Sequence, residues 1–186
     1  MPYLIEVVSI IIVFLTLSIA ILQFILLLDV VLVGHDFATS PKGIEQVGKI
    51  LKILKKDTGV LYDLGSARGN FAIQLAKVCP NLKIYGVDKS WLRIFYSNIR
   101  SKLFGSNVKF ICKNIFQANV SLADVVYIYL KDSEMPALET KLNSELKSGA
   151  MVITNTQSFP TWQVSETYVT YPKKSEYEKM FVYIKR

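Results

Sequence analysis

Two acids and a glycine turn carry the densest chemistry in this chain. Asp63-Leu64-Gly65-Ser66-Ala67-Arg68-Gly69 follows a short apolar run, and Asp88 stands 19 residues past Gly69. A strand entering a glycine turn and then a helix exposes backbone N–H groups at the helix N-terminus, which suits negative or polar ligand groups. A phosphate loop needs Lys-Ser or Lys-Thr to open the helix, and Asn70-Phe71 stand there instead. A dinucleotide turn needs G-x-G-x-x-G. Here Gly65, Ala67 and Gly69 are spaced two apart, and Asn70 takes the place of that motif's last glycine.

The remaining pattern is acid-x-Gly-x-Gly-x-Gly with a second acid ending the next strand, and it points to S-adenosylmethionine. Asp88 could accept from both ribose hydroxyls, because an ionised carboxylate offers two acceptor oxygens. Two residues depart from the pattern. Ala67 replaces a glycine and fits only if its φ is negative; Arg68 puts a cation near a cofactor that already bears a sulfonium charge. No metal site is expected: the chain has one histidine, His35, and Cys79 and Cys112 lack CxxC spacing. Both cysteines read as buried thiols in a reducing compartment.

The elements that must hold these residues alternate. Ser40 is a good N-cap and Pro41 a good first residue for an amphipathic helix through Ile44 to Lys56. Val60 to Leu64 forms a strand, Phe71 to Cys79 a helix stopped by Pro80, and "LKIYGVD" a second strand. Ser90 to Phe104 reads as a helix with Leu92, Phe95, Ile99 and Leu103 on one side. Val108 to Cys112, "ADVVYIYL" and "AMVITNT" are further strands, with a helix from Met135 to Leu146. "TWQVSETYVTYP" and "YEKMFVYIKR" alternate apolar and polar residues and read as an antiparallel hairpin. The expected fold class is α/β: a Rossmann-like, doubly wound, seven-stranded, mostly parallel sheet closed by that hairpin.

The front of the chain differs. Val7 to Leu28 holds no charge, long enough at about 20 residues to cross a bilayer. Glu6 before it and Asp29 after it do not suit a cleaved signal peptide. Residues 1–33 therefore read as a single-pass transmembrane helix and 34–186 as one further domain. Setting aside the −2 of that first segment, the formal +7 of the chain becomes +9 for the rest. Lys42, Lys49, Lys52, Lys55 and Lys56 put the domain on the cytoplasmic side by the positive-inside rule. In a eukaryote the same features suit the mitochondrial inner membrane. The basic balance reads first as a solvated basic surface; it also suits an anionic membrane surface, and nucleic acid less well because the lysines are dispersed.

Together these stretches resemble the class I, seven-strand methyltransferases, and within them the small protein-lysine methyltransferases, archaeal and membrane-anchored mitochondrial. The mitochondrial members act on the ATP synthase c-subunit and the adenine nucleotide translocase. The likeness runs from Phe37 to Trp162, through "FATSPKGIEQVGKIL", "LYDLGSARGN", "FICKNIF", "ADVVYIYLKDSEMPALETKLNSELKSGA" and "SFPTWQ". Where that family usually has Gly-Asp, this chain has Ala67-Arg68; other class I methyltransferases accept the alanine.

The resemblance implies roles for particular residues. Gly65, Ser66, Ala67 and Gly69 would pack against the cofactor's methionine end, with Asp63 orienting the loop or the cofactor's amino group. Asp88, with Lys89 beside it, would hold the ribose. Asn114 and Ile115 would lie beside the adenine, and Ser40 would reach the carboxylate. Tyr127 and Tyr129, at the end of the fourth strand, would join Trp162 in an aromatic wall for the incoming lysine. The implied activity is S-adenosylmethionine-dependent methyl transfer to a protein lysine. RNA, small-molecule and lipid acceptors stay open, as does a non-catalytic tethered domain with a degenerate cofactor site. Amino-methyltransferases of adenine or glutamine are excluded because "YIYLKDS" has no Asn/Asp-Pro-Pro-aromatic, and cytosine-5 enzymes because no Pro-Cys is present.

Overall fold

The computed structural model describes residues 2–33, 37–174 and 177–186, so His35 lies outside the described residues. The chain divides into two compact units, Met1–Asp36 and Phe37–Arg186. The first is helix α1, Pro2–Val33, whose stretch Tyr3–Asp29 contains an 18-residue window with a mean hydropathy of 2.9. By length and composition it suffices to cross a membrane.

In the second unit Ser40 caps α2 (Pro41–Ile53), accepting a hydrogen bond from the Gly43 N–H at 2.9 Å. Its buried Ile44, Val47, Ile50 and Leu51 recur at helical spacing. The chain then runs through β1 (Gly59–Leu64), α3 (Asn70–Val78), β2 (Leu82–Asp88), α4 (Trp91–Leu103), β3 (Lys109–Cys112) and β4 (Val125–Ile128). It ends with α5 (Met135–Glu145), β5 (Met151–Asn155), β6 (Glu166–Val169) and β7 (Lys179–Ile184). The strands form one seven-stranded sheet in the order β3-β2-β1-β4-β5-β7-β6. The first five are parallel; β7 pairs antiparallel with both β5 and β6. The last strand of the hairpin thus enters the sheet and the other becomes its edge.

Alternation along each strand sends residues to two cores. Leu61, Val125, Tyr127, Ile153 and Val182 face α2 and α3. Leu64, Val87, Val126, Ile128 and Val152 pack with Leu138 and Leu142 of α5. At the β3 edge, Cys112 is exposed and only Cys79 is a buried thiol, which corrects the expectation for Cys112.

Helix α4 is inverted relative to its apolar periodicity. The buried residues are Arg93, Ile94, Ser97 and Ser101. Trp91, Phe95, Ile99 and Leu103 are exposed by 70%, 58%, 42% and 77%.

Candidate functional site

The carboxyl ends of β1 and β2 meet in a turn held together by backbone bonds. The N–H groups of Gly65 and Ser66 both donate to the Val87 carbonyl, at 2.8 and 2.9 Å. Gly65 and Gly69 have φ of +84° and +73°, and an added Cβ would fall 2.5 Å from Leu130 and from Phe110 respectively. Glycine is required at both on conformation and on space.

Ala67 lies between them at φ +45°. The expectation of a negative φ is therefore wrong, and the reason is visible. The Ala67 N–H donates to Asp88 Oδ2 at 3.0 Å, and its carbonyl accepts from Ser97 Oγ at 3.2 Å. Two tertiary bonds hold an alanine in the left-handed region, where a side chain costs about 1–2 kcal/mol. The neighbouring Arg68 is half-buried, and its carbonyl accepts from Arg100 Nη1 at 3.0 Å.

Asp88 does more than end a strand. Its Oδ1 accepts from the Ser90 N–H at 2.9 Å, so the one carboxylate ties the glycine turn to the start of α4. Each oxygen keeps a further lone-pair site. Lys89 is exposed, and its carbonyl accepts from the Cys112 thiol. The segment after β3 is drawn alongside, since the Lys113 N–H donates to the Asp88 carbonyl at 2.9 Å. Asn114 there closes its own turn, accepting from the Phe116 N–H on Oδ1, while Ile115 is buried in the α5-side core.

Two polar atoms in this turn have no hydrogen-bond partner among the described residues: Asp63 Oδ2 and Ser66 Oγ, both buried. Burial, and after it the negative charge of Asp88, push the Asp63 carboxyl up to about 8. A buried acid in that state awaits a cationic partner. An amino-acid ammonium bound over the glycine turn meets this need, and a ribose fits the spare acceptor sites of Asp88. The residues present therefore fit S-adenosylmethionine.

From Asp63 a polar row continues across the α2-facing side of the sheet. Tyr127 is its register partner on β4. The phenol of Tyr127 is 2.6 Å from the Thr39 hydroxyl and accepts from Asn155 Nδ2 at 3.1 Å. Asn155 Nδ2 also donates to Glu178 Oε1 at 3.0 Å, and Ser40 Oγ donates to Glu178 Oε2 at 2.6 Å. Thr39, Asn155 and Glu178 are all buried, and none was singled out in the sequence. A signal for Glu178 existed: it shares strand parity with Met180 and Val182, both inward.

The three aromatics expected to form one wall are separated. Tyr127 is fully buried, stacked on Phe71 with ring centroids 3.6 Å apart. Burial drives its phenol well above the ordinary range. Tyr129 is half-buried and packs against Phe37, at 5.3 Å. Trp162 stacks on Phe159 in the α5-side core. It is turned there because Thr161 donates to Glu139 of α5 through both its N–H and its hydroxyl. Ser40, expected at the cofactor carboxylate, gives its hydroxyl to Glu178.

A sequence profile of the ANTKMT methyltransferase domain matches residues 63–166, more than half of the chain. The ATP synthase c-subunit lysine N-methyltransferase of Xenopus laevis is 31% identical over 124 residues, which cover 66% of this chain and 54% of that protein. The carboxy-S-adenosyl-L-methionine synthase of Helicobacter hepaticus is 24% identical over 147 residues, 73% of this chain and 62% of that one. The chain thus spans less than two thirds of either relative. An RNA methyltransferase from Salinibacter ruber, solved with S-adenosyl-L-homocysteine, has a TM-score of 0.70 at 23% identity, covering 80% of this chain and 93% of that one. At that identity the likeness shows the fold alone.

Proposed function

The chain belongs to the ANTKMT methyltransferase domain family, and we propose that it transfers a methyl group from S-adenosylmethionine to the side-chain amine of a protein lysine. The observation that carries the cofactor is the buried, unpartnered Oδ2 of Asp63 beside the glycine turn. When bound, S-adenosylmethionine supplies an activated methyl on a sulfonium sulfur. Asp63 would take the cofactor's ammonium, Ser66 would give its hydroxyl to the carboxylate, and Gly65 and Gly69 would let backbone approach. Asp88 would hold the ribose while keeping Ala67 in place; Lys89, Asn114 and Ile115 would border the ring system. Ser40 acts at one remove, through Glu178.

The acceptor lysine must be neutral to attack, and an apolar wall favours the neutral amine by desolvating the ammonium. Tyr129 with Phe37 is the pair at the end of β4 that could supply one, and cation–π contact would help seat the side chain. Tyr127 serves instead as a core strut between Phe71 and the Glu178 network. The domain's remaining work is positioning, holding donor and amine in line. That the acceptor is a lysine draws its support from the Xenopus laevis relative.

On this reading α1 is a retained membrane anchor, residues 34–186 are the catalytic domain, and the lysines after the anchor set it on the cytoplasmic or matrix side. The test is incubation of the full chain and native membranes with methyl-labelled cofactor, followed by hydrolysis of the labelled fraction. Methyl-lysine is the expected product. Label confined to RNA or lipid would overturn the lysine assignment, and failure to bind millimolar cofactor by calorimetry would overturn the enzyme.

A further inference from the structure

The outward face of α4 is a large apolar surface of the Phe37–Arg186 unit that the methyl-transfer site leaves unused. Trp91, Phe95, Ile99 and Leu103 fall at successive i, i+4 positions and all stand in solvent, with Tyr96 exposed beside them. The opposite face, toward β2 and β3, carries Ser97 and Ser101. Soluble domains bury an apolar helix stripe inward, so this one is arranged for something outside the fold.

Charge says what that something is. From Lys89 to Ala123 the sequence has no Asp or Glu. Lys89, just before α4, and Lys102, in its last turn, are exposed beside the stripe. A second copy of the chain is a poor occupant, because a two-fold contact would set these lysines against themselves. Aromatic and aliphatic side chains on one face with basic residues at the flanks are what an interfacial helix presents to lipid. Each lysine near an anionic surface adds about 1 kcal/mol.

We propose that α4 docks the domain on an anionic bilayer surface, with Trp91, Phe95, Ile99 and Leu103 entering the headgroup region. This rests on the reading of α1 as an anchor. An anchored α1 would tether the domain that follows it in sequence to the same bilayer. Docking would fix the orientation of the glycine turn, since α4 starts at the Ser90 that Asp88 holds. The favoured acceptor is then a lysine presented at the membrane surface.

The experiment uses the full chain carrying Trp162→Phe, which leaves Trp91 as the single tryptophan. It is reconstituted in phosphatidylcholine vesicles with and without phosphatidylglycerol, some containing bromine-labelled acyl chains. Expected are a blue-shifted Trp91 emission, quenching by brominated lipid, loss of quenching by aqueous iodide, and a stronger effect with phosphatidylglycerol. Phe95→Ser with Leu103→Ser, both at exposed positions, should restore iodide quenching without lowering the melting temperature. Trp91 open to iodide and untouched by bromine overturns the proposal. Shielding from both quenchers overturns it in favour of a protein partner or second copy, and shielding gained only on adding RNA in favour of nucleic acid. Equal quenching with and without phosphatidylglycerol overturns the anionic preference. Failure of the chain to float with vesicles overturns the anchor and, with it, this proposal; flotation without bromine quenching overturns only the docking.

Discussion

Replacing Asp63 tests the cofactor assignment through protons as well as affinity. With a carboxyl pushed up to about 8, Asp63 is about 90% protonated at pH 7 in the free protein. Pairing with the cofactor's ammonium ionises it, so binding at pH 7 must release nearly one proton from this residue. The α-amine has a pKa of about 8 itself and takes up about 0.1 proton on becoming fully charged. The net release is about 0.8. Calorimetry in buffers of different ionisation enthalpy reads this number directly. Apparent affinity should climb about tenfold per unit from pH 6 to 7, flatten near pH 8 and then decline. Asp63→Asn abolishes the release and weakens binding about tenfold or more, the worth of a charge-assisted hydrogen bond. Stability runs the other way. The folded carboxyl binds its proton more tightly than the unfolded one, so the favourable contribution is complete below about pH 4. It is lost at up to about 1.4 kcal/mol per unit as pH rises to 8. Asp63→Asn should therefore gain stability relative to the parent between pH 4 and 8. No proton release at pH 7, with affinity flat from pH 6 to 9, would refute the pairing.

Three other outcomes follow from the same geometry. Asp88→Ala frees the Ala67 and Ser90 N–H groups and should cost at least about tenfold in cofactor affinity by calorimetry; unchanged affinity would mean that the site lies elsewhere. Ala67→Gly relieves a φ of +45°, a gain of about 1–2 kcal/mol against about 0.4–1 lost to unfolded-chain entropy. The urea midpoint should rise at constant slope, and a fall would mean that the methyl packs usefully. Gly43→Ala places a Cβ 2.6 Å from Glu178 Oε1 and should destabilise by about 1–3 kcal/mol, read as a lower melting temperature; no shift would show the Glu178 network to be loose.

The alternation of strands and helices was legible because each strand is a short apolar run bounded by turn residues: Asp57 and Thr58 before β1, Pro80 and Asn81 before β2, Gly149 before β5. Parallel strands buried on both faces leave that signature. The turn holding Asp63, Gly65, Gly69 and Asp88 was also readable, since its chemistry is local in sequence. Side-chain direction was not. Tyr127 and Trp162 looked equivalent as aromatics after strands, yet one is held by Asn155 and the other is turned away through Thr161 and Glu139. Those partners lie 28 and about 22 residues off, and spacing along the chain carries no trace of them.

Helix α4 shows what periodicity does specify. Leu92, Phe95, Ile99 and Leu103 do share a side, but a period states only that residues share a face, not which phase that face meets. The usual inference adds that the apolar face is inward, because water is the only alternative. For a chain whose first helix can cross a bilayer that premise fails, since lipid is a second apolar phase. The polar face can then turn inward if it finds partners, and here it does: Ser97 Oγ reaches the carbonyls of Ala67 and Arg93, and Ser101 Oγ those of Ser106 and Val108. The same serine that lets α4 present its apolar stripe outward also holds Ala67 in the cofactor turn. Ser97→Ala should thus loosen that turn and weaken cofactor binding while leaving the stripe intact. A variant that kept full cofactor affinity would uncouple the outward face of α4 from the site.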